Sequence, residues 1–171
     1  MAKTRVLYRI FLTIFLVLAV LQFFLGAARA QTIVSPAAYQ IATVALPPTY
    51  TATYIDRGYW FMSVPSQYLG LSFIRTAVAD ARNTSASFLT FNVNKPVTLY
   101  VLYSASVVTG PNWLTANFTP TGEQATRNYH TWNVWRSNTP LSGNITLGGN
   151  MATGLVSPTA PGMYVVVIEE E

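Results

Sequence analysis

The sequence predicts an all-β chain, an antiparallel β-sandwich of jelly-roll type, behind an N-terminal signal peptide. Three observations carry this expectation. Short apolar runs with a two-residue period recur along the chain. Clusters of Gly, Pro and Asn separate them, and no segment sustains a helical period. The 171 residues are 51% hydrophobic and 9% charged, with no cysteine. Such a chain is too apolar for disorder, and its stability must come from a packed core instead of disulfides.

The first element is the leader. Lys3, Arg5 and Arg9 precede an uncharged apolar run that closes on Ala28-Arg29-Ala30. This order is that of a cleavable export signal over residues 1–30, with a retained membrane anchor as the competing reading. The expected location is therefore extracellular, secreted or at the cell surface, with membrane contact only through the signal. The formal charge of +4 also resides there, since from Gln31 onward six basic residues face six acidic ones. No nucleic-acid partner is expected.

Residues 31–48 follow as an extended, uncharged arm, broken by Pro36 and Pro47-Pro48. The sandwich domain is expected over residues 49–171. A first strand at 49–55 alternates Tyr50, Ala52 and Tyr54 with threonines. Further strands are expected at 59–64, 71–75, 87–93, 97–103, 129–136, 145–147 and 163–168. Asn94-Lys95-Pro96 is expected to join two of them as a hairpin. Gly110-Pro111-Asn112, Pro120-Thr121-Gly122, Gly148-Gly149-Asn150 and Pro161-Gly162 are read as turns that use positive φ or a fixed proline φ. Leu89, Phe91, Val93, Val97, Leu99 and Val101 form the expected core. Alternation in 129–136 buries Trp132 and leaves Trp135 more accessible.

Several short stretches, taken in order, resemble a carbohydrate-binding-module-like β-sandwich domain that recurs in exported bacterial proteins. There it is often appended to polysaccharide lyases and other glycan-active enzymes. The stretches are Tyr54-Ile-Asp-Arg-Gly-Tyr59, Ile74-Arg-Thr-Ala77, Phe88-Leu-Thr-Phe-Asn-Val93 with Pro96-Val-Thr-Leu-Tyr-Val101, Trp113-Leu114, Leu147-Gly-Gly-Asn150 and Tyr164-Val-Val-Val-Ile168. The chain departs from the pattern at Leu102-Tyr103-Ser104-Ala105-Ser106 and Val78-Ala79-Asp80-Ala81-Arg82. The resemblance thus implies the scaffold more than a ligand site.

Chemistry-bearing residues are sparse. His130 is the one histidine, and Asp56, Asp80 and Glu123 are the carboxylates ahead of the terminal Glu169-Glu170-Glu171. No enzyme, cofactor or metal site is expected from so few titratable groups. Asp56 and Asp80 fit a glycosidase pair less well than a turn cap or ion pair with Arg57 and Arg75. The glutamate cluster reads as a solvated end that blunts aggregation.

Two functions remain. Glycan binding at a cell surface would use aromatic faces, with Trp135, Tyr103, Trp113, Tyr59 and Trp60 as candidates. A structural subunit of a surface filament or matrix would self-associate by exchanging the arm, with Ile33, Val34, Ile41 and Val44 on the exchanged strand. The same arm could instead serve as the first strand of its own sandwich. Asn83, Asn117 and Asn144 open N-x-S/T triplets and are possible glycosylation sites.

Overall fold

β-Branched and aromatic residues dominate one unusually long strand, around which the other elements are arranged. The computed structural model describes residues 31–49 and 51–171. The expected leader, and Tyr50 of the first expected strand, lie outside the described residues. The strands are β1 (Gln31–Ser35), β2 (Gln40–Thr43), β3 (Phe61–Ser63), β4 (Ser72–Arg75), β5 (Leu89–Ser104), β6 (Phe118–Arg127), β7 (His130–Ser137), β8 (Leu141–Leu147) and β9 (Val165–Glu170). A short helix, α1 (Asn112–Asn117), precedes β6. The strand ladders are antiparallel, in the order β2-β4-β9-β5-β7-β6-β3, with β1 and β8 also on β5. The chain is an all-β, sandwich-like fold built from a curled sheet.

Asn94-Lys95-Pro96 does not turn the chain. These exposed residues lie inside the 16-residue β5, so the expected hairpin is one continuous strand. A strand has two edges, and β5 uses each twice. Its first half pairs with β1 and β8, its second half with β9 and β7. Val97 pairs with both Leu141 of β8 and Glu170 of β9, which puts β8 and β7 along one edge and β1 and β9 along the other. The register against β8 shifts between Val93 and Val97. Asn94-Lys95-Pro96 therefore marks the place where β5 passes from one set of neighbours to the next. Proline is tolerated there because the ladder is interrupted.

The sheet curls until its ends meet. The described residues of 49–55 form no regular strand, contrary to expectation. Ala52 bridges Trp60 beside β3, and Tyr54 bridges Thr76 just after β4. The Thr53 N–H donates to the Tyr59 carbonyl at 2.7 Å and the Ile55 N–H to Thr76 at 2.8 Å. Inside the curl Phe61 packs edge-on against Phe73, with centroids 5.3 Å apart, and against Trp132 at 5.8 Å. All six expected core residues of β5 are buried, as is Trp132. Apolar area withdrawn from water by such rings is the main driving force of the fold.

The arm belongs to this sheet. Gln31, Thr32 and Ile33 of β1 pair with Val93, Asn92 and Phe91, and β2 pairs with β4. Among the described residues the sheet thus already includes Gln31, ahead of the expected boundary at residue 49. β6 was not expected, because Pro120-Thr121-Gly122 looks like a turn. Its register against β7 does shift between Pro120 and Gln124, with Gly122 at φ +81°, yet pairing resumes beyond.

Candidate functional site

Leu147-Gly148-Gly149-Asn150 leads β8 into a loop whose three successive carbonyls each accept an aromatic side-chain donor. The Tyr164 hydroxyl donates to Gly148 at 3.0 Å, Trp113 Nε1 to Gly149 at 3.0 Å, and the Tyr103 hydroxyl to Asn150. Both glycines are required by close approach and not, as expected, by positive φ. A Cβ on Gly148 would lie 2.3 Å from Trp113 Cδ1, and one on Gly149 would lie 2.4 Å from the Asn83 carbonyl oxygen. Positive φ is found instead at Gly70, Gly122, Gly143 and Gly154.

Trp113, on α1, is thereby held as one wall of a groove of about 340 Å³. Asn117 of α1, Asn138 and Thr139 of the β7–β8 connection, and Ser142, Asn144 and Thr146 of β8 also line it. None of the lining residues is charged. Among the described residues β8 pairs only with β5, so its other edge offers backbone groups unpaired by them. Asn117 Nδ2 donates to the Trp113 carbonyl at 2.8 Å, and Asn144 Oδ1 accepts from Asn92 Nδ2 at 2.9 Å. Asn117 Oδ1 and Asn144 Nδ2 are left as an acceptor and a donor with no partner among the described residues. Asn138 is fully used, accepting from Thr119 at 2.8 Å and tying the connection to α1. A half-buried indole beside amides and hydroxyls is the combination that accepts an uncharged polyhydroxylated ligand.

The remaining aromatic candidates are placed elsewhere. Tyr103 is 1% exposed, stacked on Tyr164 at 6.4 Å, so the structure corrects it to a core residue. Trp135 is half-buried against the core and lies opposite Pro120 and Val101. Trp60 is half-buried, whereas Tyr59 is exposed beside Arg127, whose guanidinium carbon stands 4.6 Å from its ring. Sequence reasoning missed Asn138, Thr139 and Ser142, which carry no pattern before β8 is folded beside α1.

The arm and acceptor candidates divide similarly. Ile33 and Ile41 are partly buried, Val44 is buried, and Val34 is exposed. Asn83 is half-buried, with Oδ1 accepting from the Ser85 N–H at 2.9 Å, and it presses on Gly149. Asn117 and Asn144 both line the groove.

The carboxylates have structural partners. Asp56 accepts the Val78 and Ala79 N–H groups at 2.9 and 3.0 Å, capping a 3₁₀ turn at 78–80. Asp80 accepts from the Tyr39 hydroxyl at 2.8 Å; burial first, and then this bond, raises the Tyr39 pKa well above its ordinary value. Glu169, Glu170 and Glu171 engage Tyr100, Lys95 and Thr98 of β5. Burial, with the Arg127 charge second, lowers His130 to about 4, so its imidazole is neutral at pH 7.

No family model and no curated protein matches the chain. Among solved structures it is similar to a beta-glucuronidase from glycoside hydrolase family 2, with a TM-score of 0.67 and 20% sequence identity. The match covers 82% of this chain and 14% of that one. At that identity the likeness concerns the fold, and this chain corresponds to a small part of the larger protein.

Proposed function

We propose that this is a non-catalytic carbohydrate-binding protein of the cell exterior, and that the groove between Trp113 and β8 is its glycan site. The observation that carries this reading is the fixed indole beside one open amide acceptor, Asn117 Oδ1, and one open amide donor, Asn144 Nδ2, in an uncharged groove. The ring offers an apolar face to a pyranose, while Asn117 Oδ1 and Asn144 Nδ2 meet its hydroxyls. Because the lining has no charge, the ligand is a neutral glycan. The likeness to a β-structured part of a glycoside hydrolase supports a carbohydrate role by analogy of fold. The structural duties of Asp56 and Asp80 support a non-catalytic role. Export rests on the order of residues in the leader.

Assembly by arm exchange would require β1 and β2 to leave β5 and β4, whose edges they already occupy. This favours the binding reading over a filament subunit.

Affinity electrophoresis in neutral polysaccharides tests the proposal. Wild-type protein should be retarded in at least one, and Trp113→Ala should migrate freely. Free migration of the wild type in all of them would remove the groove as a glycan site.

A further inference from the structure

Strand and helix geometry fix how the groove runs. Its lining residues on α1 are Trp113, Ala116 and Asn117, which share one helix face because they stand three and four residues apart. On the other bank Ser142, Asn144 and Thr146 alternate with Leu141, Ile145 and Leu147, so both faces of β8 contribute. A hollow lined by both sets runs along the edge of the strand. The groove therefore lies lengthwise between α1 and β8.

α1 is tied to the opposite bank at each end. At one end Trp113 Nε1 donates to the Gly149 carbonyl at 3.0 Å, and a Cβ on Gly148 would meet the indole Cδ1 at 2.3 Å. At the other, the Asn138 N–H donates to the Asn117 carbonyl at 3.0 Å, Asn138 Nδ2 donates to the Ala116 carbonyl at 3.4 Å, and Phe118 pairs with Ser137. Between these ties, from Trp113 to Asn117, the helix axis advances by only about 6 Å. A second hollow, of about 450 Å³, shares Asn138 with the groove and is otherwise lined by Thr119, Pro120, Thr121, Arg136 and Ser137. Asn138 is thus the partition between the two. The groove is a short slot closed at both ends, and its 340 Å³ lies at the small end of ligand pockets.

We propose that this slot takes the end of a neutral glycan chain, a terminal sugar with at most the unit next to it, and that Asn138 is the stop that sets this length. A closed slot admits a chain end or a branch tip, whereas the interior of a linear chain would have to pass through both ties. The terminal ring lies along Trp113 and its hydroxyls meet Asn117 Oδ1 and Asn144 Nδ2. Units beyond the slot stand in solvent and add no contact. Asn138 has its Oδ1 engaged by the Thr119 hydroxyl at 2.8 Å and its Nδ2 by Ala116, so it acts as a wall. The inference rests on the glycan reading of the groove and adds to it the class of glycan, one rich in chain ends or branch tips.

The test is an NMR titration of the full chain with gluco-, manno-, galacto- and xylo-oligosaccharides, from mono- to hexasaccharide, read at the Trp113 indole N–H. In a series that binds, affinity should level off at the disaccharide, with the hexasaccharide within about threefold of it. Asn138→Ala, at an exposed position, opens the slot towards the second hollow. It should restore length dependence, the hexasaccharide then binding more than about threefold more tightly than the disaccharide. Wild-type affinity that climbs beyond that limit would overturn the proposal and leave the groove standing as an open glycan site. A level series in Asn138→Ala would overturn the role of Asn138 as the stop. An indole signal unmoved by every sugar would reject the groove itself, and this inference with it.

Discussion

Trp113 Nε1 donates to the Gly149 carbonyl at 3.0 Å, so the indole on α1 is oriented by the loop that follows β8. The ring also packs on Tyr164 with centroids 5.3 Å apart and edge-on against Phe118 at 6.1 Å. A binding ring fixed in this way loses little conformational entropy when it meets a ligand.

Gly148→Ala tests this dependence. The new methyl would need the space now held by Trp113 Cδ1, 2.3 Å away, so the indole must swing out. Glycan affinity should fall at least about tenfold and stability by about 1–3 kcal/mol, as for other overpacked sites. Titration calorimetry and urea unfolding would measure both. Unchanged affinity would mean that the orientation of the indole is immaterial to binding.

Asn150 is 0% exposed. Its Nδ2 donates to the Ala81 carbonyl at 2.9 Å and its Oδ1 accepts the Tyr164 N–H at 3.2 Å. Nδ2 also donates to the Pro161 carbonyl at 3.4 Å, and Asn150→Leu removes all three bonds, leaving the buried Tyr164 N–H without an acceptor. It should destabilise the chain by about 2–4 kcal/mol, the cost of the orphaned partners. Chemical unfolding checks this, and a loss under about 0.5 kcal/mol would show that the network is dispensable.

Tyr129→Gly should act in the opposite sense. Relief of the left-handed strain at φ 56° outweighs the added freedom of the unfolded chain, for a gain of about 0.5–1 kcal/mol. A thermal melt compared with wild type decides this.

His130 couples stability to pH. Its folded pKa is about 4 against an ordinary 6.5, the main cause being burial. Above the unfolded value the imidazole is neutral in both states, and its contribution is constant. Between about 6.5 and about 4 the unfolded chain takes up a proton that the native site refuses, so stability declines as pH falls through that window. His130→Gln should flatten this part of the stability profile. An identical slope in wild type and variant would assign the decline to other groups.

Alternation made the scaffold legible. Leu89, Phe91 and Val93 and their continuation at Val97, Leu99 and Val101 have a period that only a sheet can bury on one side, and all are buried. Asn94-Lys95-Pro96 misled because turn chemistry and an interrupted ladder use the same residues. Only the pairing of Val97 with two partners distinguishes them. Gly148 and Gly149 looked like turn glycines because their tertiary neighbours, Trp113 and Asn83, are far away in sequence. The site was legible in part. Trp113 was a candidate as an aromatic, but its amide partners Asn117 and Asn144 stood out only as N-x-S/T triplets.

Mapping a neutral oligosaccharide on the isotope-labelled chain by NMR tests the central claim most directly. Saturable shifts should appear at the Trp113 indole N–H and at the Asn117 and Asn144 side-chain amides. Binding that leaves these three signals in place while moving others would contradict it.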